Sequence, residues 1–406
     1  MNTASLWLHD PDFPGAQSPL AFLILSVLSQ TSMSFVQQGI AVLGLYFAHR
    51  FHLSFAGLGL LVSTPALGMM ISFSAAGWLV DRLGPRRLLM IITGPMALLV
   101  ASAGFIRGLA PLAGILFLMG LTFAVVPAVG TKAVFYAFSH RNRGLPMGIR
   151  QTGVPLGASL AALVLPPLVG SFGIRPLFAV MSLALLLANG AFAWAIPPIP
   201  PQLTASAGLP IRHLLQAIWL PAAIALLLVG AQYDVLAFSL PDLVRLHRVS
   251  VDEAGLVLAV GQVGGGIGRI LFGALTDRGI PVRTVLSGAS LVALIAVLGV
   301  IVLPSRPPLE VLLPLWLILG IGAVGWNALA LTWAGETVPA SHSGLAMSTT
   351  ASIIFVGAVI HPPLFGWLAD TTHHLTAGWI WLATILVAAF GLTRIHPKSR
   401  QRSIRP

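Results

Sequence analysis

Hydrophobic and polar positions along this chain of 406 residues alternate on one long beat. An apolar run of about twenty residues, the length that crosses a bilayer core as a helix, gives way to a short polar break and then to another run. Twelve spans are predicted, at 20–47, 55–80, 87–107, 111–137, 146–170, 176–196, 215–240, 254–276, 284–303, 311–336, 344–368 and 376–395. One break is longer and different in kind. PPIPPQLTASAGLP, from Pro197 to Pro210, combines helix-breaking Pro and Gly with small polar residues and reads as a linker. The chain thus divides into a segment 1–19, a six-helix bundle 20–196, a linker 197–214, a second six-helix bundle 215–395 and a basic tail 396–406.

The two bundles echo each other at an offset of 196 residues. GWLVDRLGPRR (Gly77 to Arg87) follows the second span, and GALTDRGIPVR (Gly273 to Arg283) follows the eighth. Pro166, Pro167, Leu168 and Gly170 recur as Pro362, Pro363, Leu364 and Gly366. Self-similarity over half a chain means two copies of one unit. In a membrane protein it marks alternating access around a site between the halves.

Composition agrees: 57% of residues are hydrophobic and 8% charged, with a mean hydropathy of +0.93. So few charges could not cover a soluble protein of this size. The net charge of +11 invites a nucleic-acid reading, but its distribution opposes one. With the amino terminus inside, thirteen of 22 Lys and Arg fall on the cytoplasmic side, six outside and three within spans. That asymmetry is the positive-inside rule, and it predicts a multi-pass protein of the inner (plasma) membrane with both termini cytoplasmic. With no cysteine, disulfides and Cys-ligated metals are excluded. Residues 1–19 carry Asp10 and Asp12 but no Lys or Arg, so they do not read as a cleaved signal peptide. No Ser/His/Asp set, paired-His metal site or multi-carboxylate cluster points to an enzyme, and no cofactor is implied. No GxxxxGK[ST] loop is present, so a gradient drives the process.

Twelve spans, paired Gly-x-x-x-Asp-Arg loops and a central linker resemble the major facilitator superfamily across nearly the whole chain. The first loop matches that family's signature at Gly77, Asp81, Arg82, Gly84, Arg86 and Arg87. The second keeps Gly273, Asp277 and Arg278, with Gly279 one place early. The resemblance implies an all-α membrane fold of two pseudo-symmetric six-helix bundles, working as a monomeric unit. Physically, Gly77 would allow close helix contact, Asp81 could accept hydrogen bonds from the free amides of a helix start, and Arg82 could clamp a carboxylate. Such contacts would latch the cytoplasmic ends of the halves, with Glu336, closing the tenth span, as a partner for a loop arginine. The four glycines Gly264, Gly265, Gly266 and Gly268 read mainly as helix packing.

Charges inside a membrane are costly unless paired or facing water, so they nominate the site. Arg269 lies mid-helix, eight residues before Asp277, or ~12 Å from that end. Lys132 and Arg150 are shallower, and Asp234 and His361 lie in the outer half. Three cations against one deep carboxylate favour an anionic substrate. Arg269, four residues before Gly273, is similar to the substrate-carboxylate arginine of the monocarboxylate and oxalate–formate branches. RGLPMGIRQTGVPLG (Arg143 to Gly157) resembles cyanate-type anion porters. The first span has no cation, and His361 stands where the oxalate-type pattern carries a lysine. Gly153, Pro155 and Gly157 match the helix-5 motif of drug:proton antiporters only in part.

The expectation is a secondary transporter of a small organic anion, a carboxylate, moved with protons across the lipid bilayer. Arg269 would grip the anion, with Lys132, Arg150, Gln37, Gln38, Trp326 and Asn327 lining the cavity. Asp234 and His361 would carry the proton coupling. Gln38 and Asp234 are equivalent under the 196-residue offset. Efflux of hydrophobic drugs is the alternative among transporters. A non-transporting sensor or assembly partner is the alternative outside that class.

Overall fold

The computed structural model describes residues 18–138, 144–199, 210–339 and 342–395. Most of the segment 1–19, the middle of the linker 197–214, the tail 396–406 and Arg143 at the head of the cyanate-type run lie outside them. Twelve helices are long and apolar enough to cross a membrane. They are α1 (Pro19–Val42), α2 (Phe55–Leu83), α3 (Pro85–Ala103), α4 (Leu109–Ala137), α5 (Pro146–Phe172) and α6 (Ile174–Ala195) in the first half. The second half has α7 (Ile211–Leu246), α8 (Val251–Asp277), α9 (Val282–Ile301), α10 (Leu309–Glu336), α11 (Leu345–Thr372) and α12 (Leu375–Leu392). We call the face where α1 begins the near face and the opposite one the far face.

The largest departure from the predicted spans is the end of α7. Pro241 does not stop it: the chain passes into a π-turn, Asp242–Leu246, which absorbs the irregularity and extends the helix. Proline and glycine elsewhere break α4 at Ala124, α5 at Thr152 and α10 at Gly325–Trp326. Such irregular backbone is tolerated in a membrane only where protein or a water-filled cavity surrounds it.

The repeat read from sequence is present in the backbone. His52 and Arg248, 196 positions apart, both adopt left-handed conformations (φ 51° and 57°) just before the helices capped by Ser54 and Ser250. The loops after α2 and α8 both turn on a glycine at positive φ, Gly84 at 78° and Gly279 at 85°. The displaced glycine of the second loop therefore performs the same turn. Most telling is the hydrogen bond from Gln37 Nε2 to Tyr233 Oη, 3.0 Å. These residues are images of each other under the 196-residue offset, and a residue touches its own image only near the symmetry axis. Gln37 and Tyr233 therefore mark the axis between the halves.

Two equivalent seams join the halves, α2 against α11 and α8 against α5. A Cβ at Gly59 would lie 2.2 Å from the Pro362 carbonyl oxygen, and one at its image Gly255 would lie 2.6 Å from that of Ala162. Only glycine permits such approach, the usual device of helix packing in lipid. Within the second half, Gly264 and Gly268 seat α8 on the Leu317 and Ile321 carbonyls of α10, where a Cβ would come within 2.2 and 2.6 Å. Gly266 alone of that run looks across to Pro155, at 3.7 Å.

Candidate functional site

The seams close the far face and part toward the near face. Starting at the far end, Asp370 of α11 bonds the first amides of α2. Ser63 Oγ then donates to the Ala358 carbonyl, 3.1 Å, and Ser159 Oγ to that of Ala259, 3.2 Å. About two-thirds of the way to the near face, Phe73 meets Phe355 with ring centroids 5.8 Å apart. At the equivalent level of the other seam, Arg269 reaches Gln151. Beyond that level Gly77 and Gly273 have open space where a Cβ would project. The close contact expected of Gly77 is therefore not made in this state. The geometry is that of two halves packed together at the far face.

Arg269 lies in the seam between α8 and α5. It is 8% exposed, and its Nη1 donates to the Gln151 carbonyl oxygen at 2.7 Å. The reason that oxygen is free is chemical. In a helix it would accept from the amide four residues on, but that residue is Pro155, which has none. The second half thus ties its arginine to a gap in the backbone of the first. The tie takes one corner of the guanidinium. Nε is buried without a partner, so the Nε–Nη2 edge, the side that pairs bidentately with a carboxylate, is left over.

Arg150, the preceding residue on α5, turns the other way. It is 1% exposed and enclosed within the first half, where Nη2 donates to Gln30 Oε1 at 2.8 Å and to the Val126 carbonyl at 3.2 Å. Gly130 of α4 makes the room, since a Cβ there would lie 2.2 Å from the guanidinium. This enclosure takes Arg150 off the wall between the halves. Lys132 also departs from its expected place. Its ammonium sits 2.5 Å from Asp81 Oδ1, which places it with the near-face loop and away from the expected cavity. In this state the described partner of Asp81 is thus in its own half. Arg82 lies over the Trp78 ring of its own helix, 4.7 Å from the centroid. Arg86 is half-buried, while Arg87, Asp277, Arg278 and Glu336 are exposed at the near face.

Asp234 is fully buried on α7, and neither carboxylate oxygen has a hydrogen-bond partner. His361 of α11 packs one turn away: a Cβ at Gly230 would meet its ring at 2.3 Å. The two form no described ion pair, and the His361 ring lies 5.8 Å from Trp381 with Nδ1 unpartnered. Gln38 is buried, and Gln37 lies on the axis. Trp326 is a correction. It is fully buried and donates to the Ala323 carbonyl of its own helix at 2.9 Å, so it packs the α10 break and lines no cavity. Asn327 beside it is half-buried.

Sequence reasoning missed Asp370, discussed below, and a pair at the far end of the second half. The π-turn brings His247 Nε2 to 3.5 Å from Asp242 Oδ2, while His247 Nδ1 contacts the Pro304 carbonyl at 2.9 Å. With Ser305, Thr376 and Trp379 they line a cavity of about 200 Å³. The Asp242 carboxylate beside it, aided by the Pro304 carbonyl, raises the His247 pKa above its ordinary value against the opposing effect of burial.

The Major Facilitator Superfamily profile matches residues 22–231 and, again, 222–405, one copy for each half. The chain belongs to that superfamily. An uncharacterized MFS-type transporter of Mycobacterium tuberculosis is 29% identical over 415 residues, covering 98% of this chain and 91% of that protein. The probable nitrate/nitrite transporter NarK2 of the same organism is 25% identical over 375 residues, 87% of this chain and 90% of its own. The gallate transporter of Pseudomonas putida is 26% identical over 316 residues, 68% and 67% of the two chains. This facilitator is thus a multi-pass membrane carrier of a small-molecule substrate.

Proposed function

We propose that this MFS carrier moves a small organic anion, a carboxylate, together with protons. The observation that carries the reading is Arg269, tied at one corner across the seam between the halves, with its Nε buried and without a partner among the described residues. A guanidinium in a membrane interior needs an anion, and here the substrate supplies it. The relatives named for nitrate/nitrite and for gallate carry anions, which supports the class. Gln37, Gln38 and Asn327 supply polar groups to the cavity wall in this scheme.

Asp234 carries the coupled proton in this reading. A bare carboxylate buried without a partner costs several kcal/mol, a cost that a bound proton removes. His361, one turn away, is the second exchangeable group. By the charge distribution the near face is cytoplasmic, so the state described is open inward, in the inner membrane.

Purified protein in proteoliposomes, screened with radiolabelled gallate, aliphatic monocarboxylates, oxalate, nitrate and cationic drugs, with and without a pH gradient, tests the reading. Uptake of carboxylates that is enhanced by the gradient supports it. Uptake of nitrate alone would move the substrate to inorganic anions, and uptake of drugs alone would overturn the anion site.

A further inference from the structure

At the far face the start of α2 is held by the second half. The carboxylate of Asp370, at the end of α11, accepts hydrogen bonds from the amides of Phe55 (2.9 Å) and Ala56 (2.7 Å), the first residues of α2. Two more groups of the second half hold the same residue. A Cβ at Gly366 would lie 2.1 Å from the Phe55 carbonyl oxygen, and the Arg245 guanidinium lies over the Phe55 ring, 5.3 Å from its centroid.

The equivalent point on the other seam shows why. Helix α8 begins with Ser250 and completes a capping box in its own chain segment, because Glu253 returns a carboxylate to the cap. The image of Ser250 is Ser54, which caps α2 through Gly57 N at 3.2 Å. The image of Glu253, however, is Gly57 itself, so α2 has no carboxylate of its own at its first turn. Conversely, the image of Asp370 is Ile174, which could offer none to α8. The carboxylate that α8 carries in cis, α2 borrows in trans from the opposite half. Sequence also marks Asp370: Gly366-Trp367-Leu368-Ala369-Asp370 repeats the pattern of Gly77-Trp78-Leu79-Val80-Asp81, the near-face signature.

We propose that Asp370 is the far-face latch: its capping of α2 across the seam holds the far side closed, and the cycle opens that side by releasing the cap. Free amides at a helix start attract a carboxylate through both hydrogen bonding and the helix dipole. The contact exists only while the halves are together at this face, so it biases one global state over the other. The proposal rests on alternating access and is independent of which substrate is carried.

The test uses the absence of native cysteine. Ser63→Cys places a thiol in the closed far part of the seam, where the native side chain is 3% exposed. Ser348→Cys places one on the near end of the α11 stripe that packs on α2. Each is combined with Asp370→Ala, and labelling by an impermeant maleimide is timed. The latch predicts labelling at position 63 about tenfold faster and labelling at position 348 slower. Gly57→Glu supplies the missing carboxylate in cis, where an added Cβ meets only the Leu53 and Ser54 side chains at 3.5 Å or more. It should move both rates in the same directions with Asp370 intact. A general loosening would raise both rates. That outcome, or unchanged rates in both variants, overturns the proposal even if anion transport is intact.

Discussion

Replacing Pro155 by alanine returns an amide hydrogen to α5 at the point where the Gln151 carbonyl lacks one. The new N–H lies four residues on, in register to close the helical bond, and competes with Arg269 for the same oxygen. Arg269 is then untied, although nothing that could touch a substrate has been removed. Fixing a free arginine side chain costs up to about 2 kcal/mol of rotamer entropy, and the 2.7 Å bond to Gln151 has met that cost before the anion arrives. Untied, the side chain must be ordered at the moment of binding, which weakens the anion by up to about 30-fold in Kd. Removing the grip outright, in Arg269→Ala, should abolish binding, and Arg269→Lys should rescue poorly because an ammonium cannot form the two-pronged pair. Equilibrium binding of whichever carboxylate accumulates in proteoliposomes measures all three. Wild-type affinity in Pro155→Ala would refute the tie, and wild-type affinity in Arg269→Ala would refute the site.

Gly130→Ala should expel the Arg150 guanidinium from its niche and break its bonds to Gln30 and Val126. The expected loss is about 2–4 kcal/mol, read as a lower thermal midpoint in detergent, while Gly114→Ala, which meets open space, should lose nothing. His247 has its pKa raised in the folded protein by Asp242. Its stabilising share is therefore full below the unfolded value of about 6.5 and is lost as pH rises through the raised value. The thermal midpoint should fall across that window in wild type and stay flat in His247→Gln; parallel curves would refute the pairing. Asp234→Asn should keep substrate exchange, which moves no net proton, and lose accumulation driven by a pH gradient. Undiminished accumulation would pass the coupling role to His361.

The spans were legible because lipid imposes one rule on every residue that faces it, and that rule is written in hydropathy. The repeat was legible because both halves keep the same glycines and prolines where backbones nearly touch, as at Gly59 and Gly255. Partners were not legible, because charge depth says nothing about which helix stands opposite. Lys132 reads as a cavity cation until α4 and α2 are seen to bring it to Asp81, 51 residues away. Asp242 and His247 stand five apart, a spacing that an ordinary helix would not bring face to face and the π-turn does. Asp370 had a readable mark in its Gly-Trp-Leu-x-Asp pattern, but its partner lies 315 positions earlier.

The two Gly-Trp-Leu-x-Asp segments differ in what they touch. At Gly366 the glycine is packed on backbone and its aspartate caps a helix of the opposite half. At Gly77 the glycine meets open space and its aspartate is held by Lys132 in its own half. The same chemistry is therefore engaged at one face and idle at the other. A rigid rocking of the halves about the Gln37–Tyr233 axis opens the face where they are packed as it closes the one where they stand apart. Lys132 then has a physical role that its depth alone did not suggest. In the proposed cycle it neutralises Asp81 while the near face is open and gives Asp81 up when a helix start of the other half arrives. On that scheme, weakening this ion pair, 17% and 59% exposed on its two sides, should change how readily the carrier leaves the state open at the near face, and Lys132→Gln combined with the Ser348→Cys labelling rate measures it.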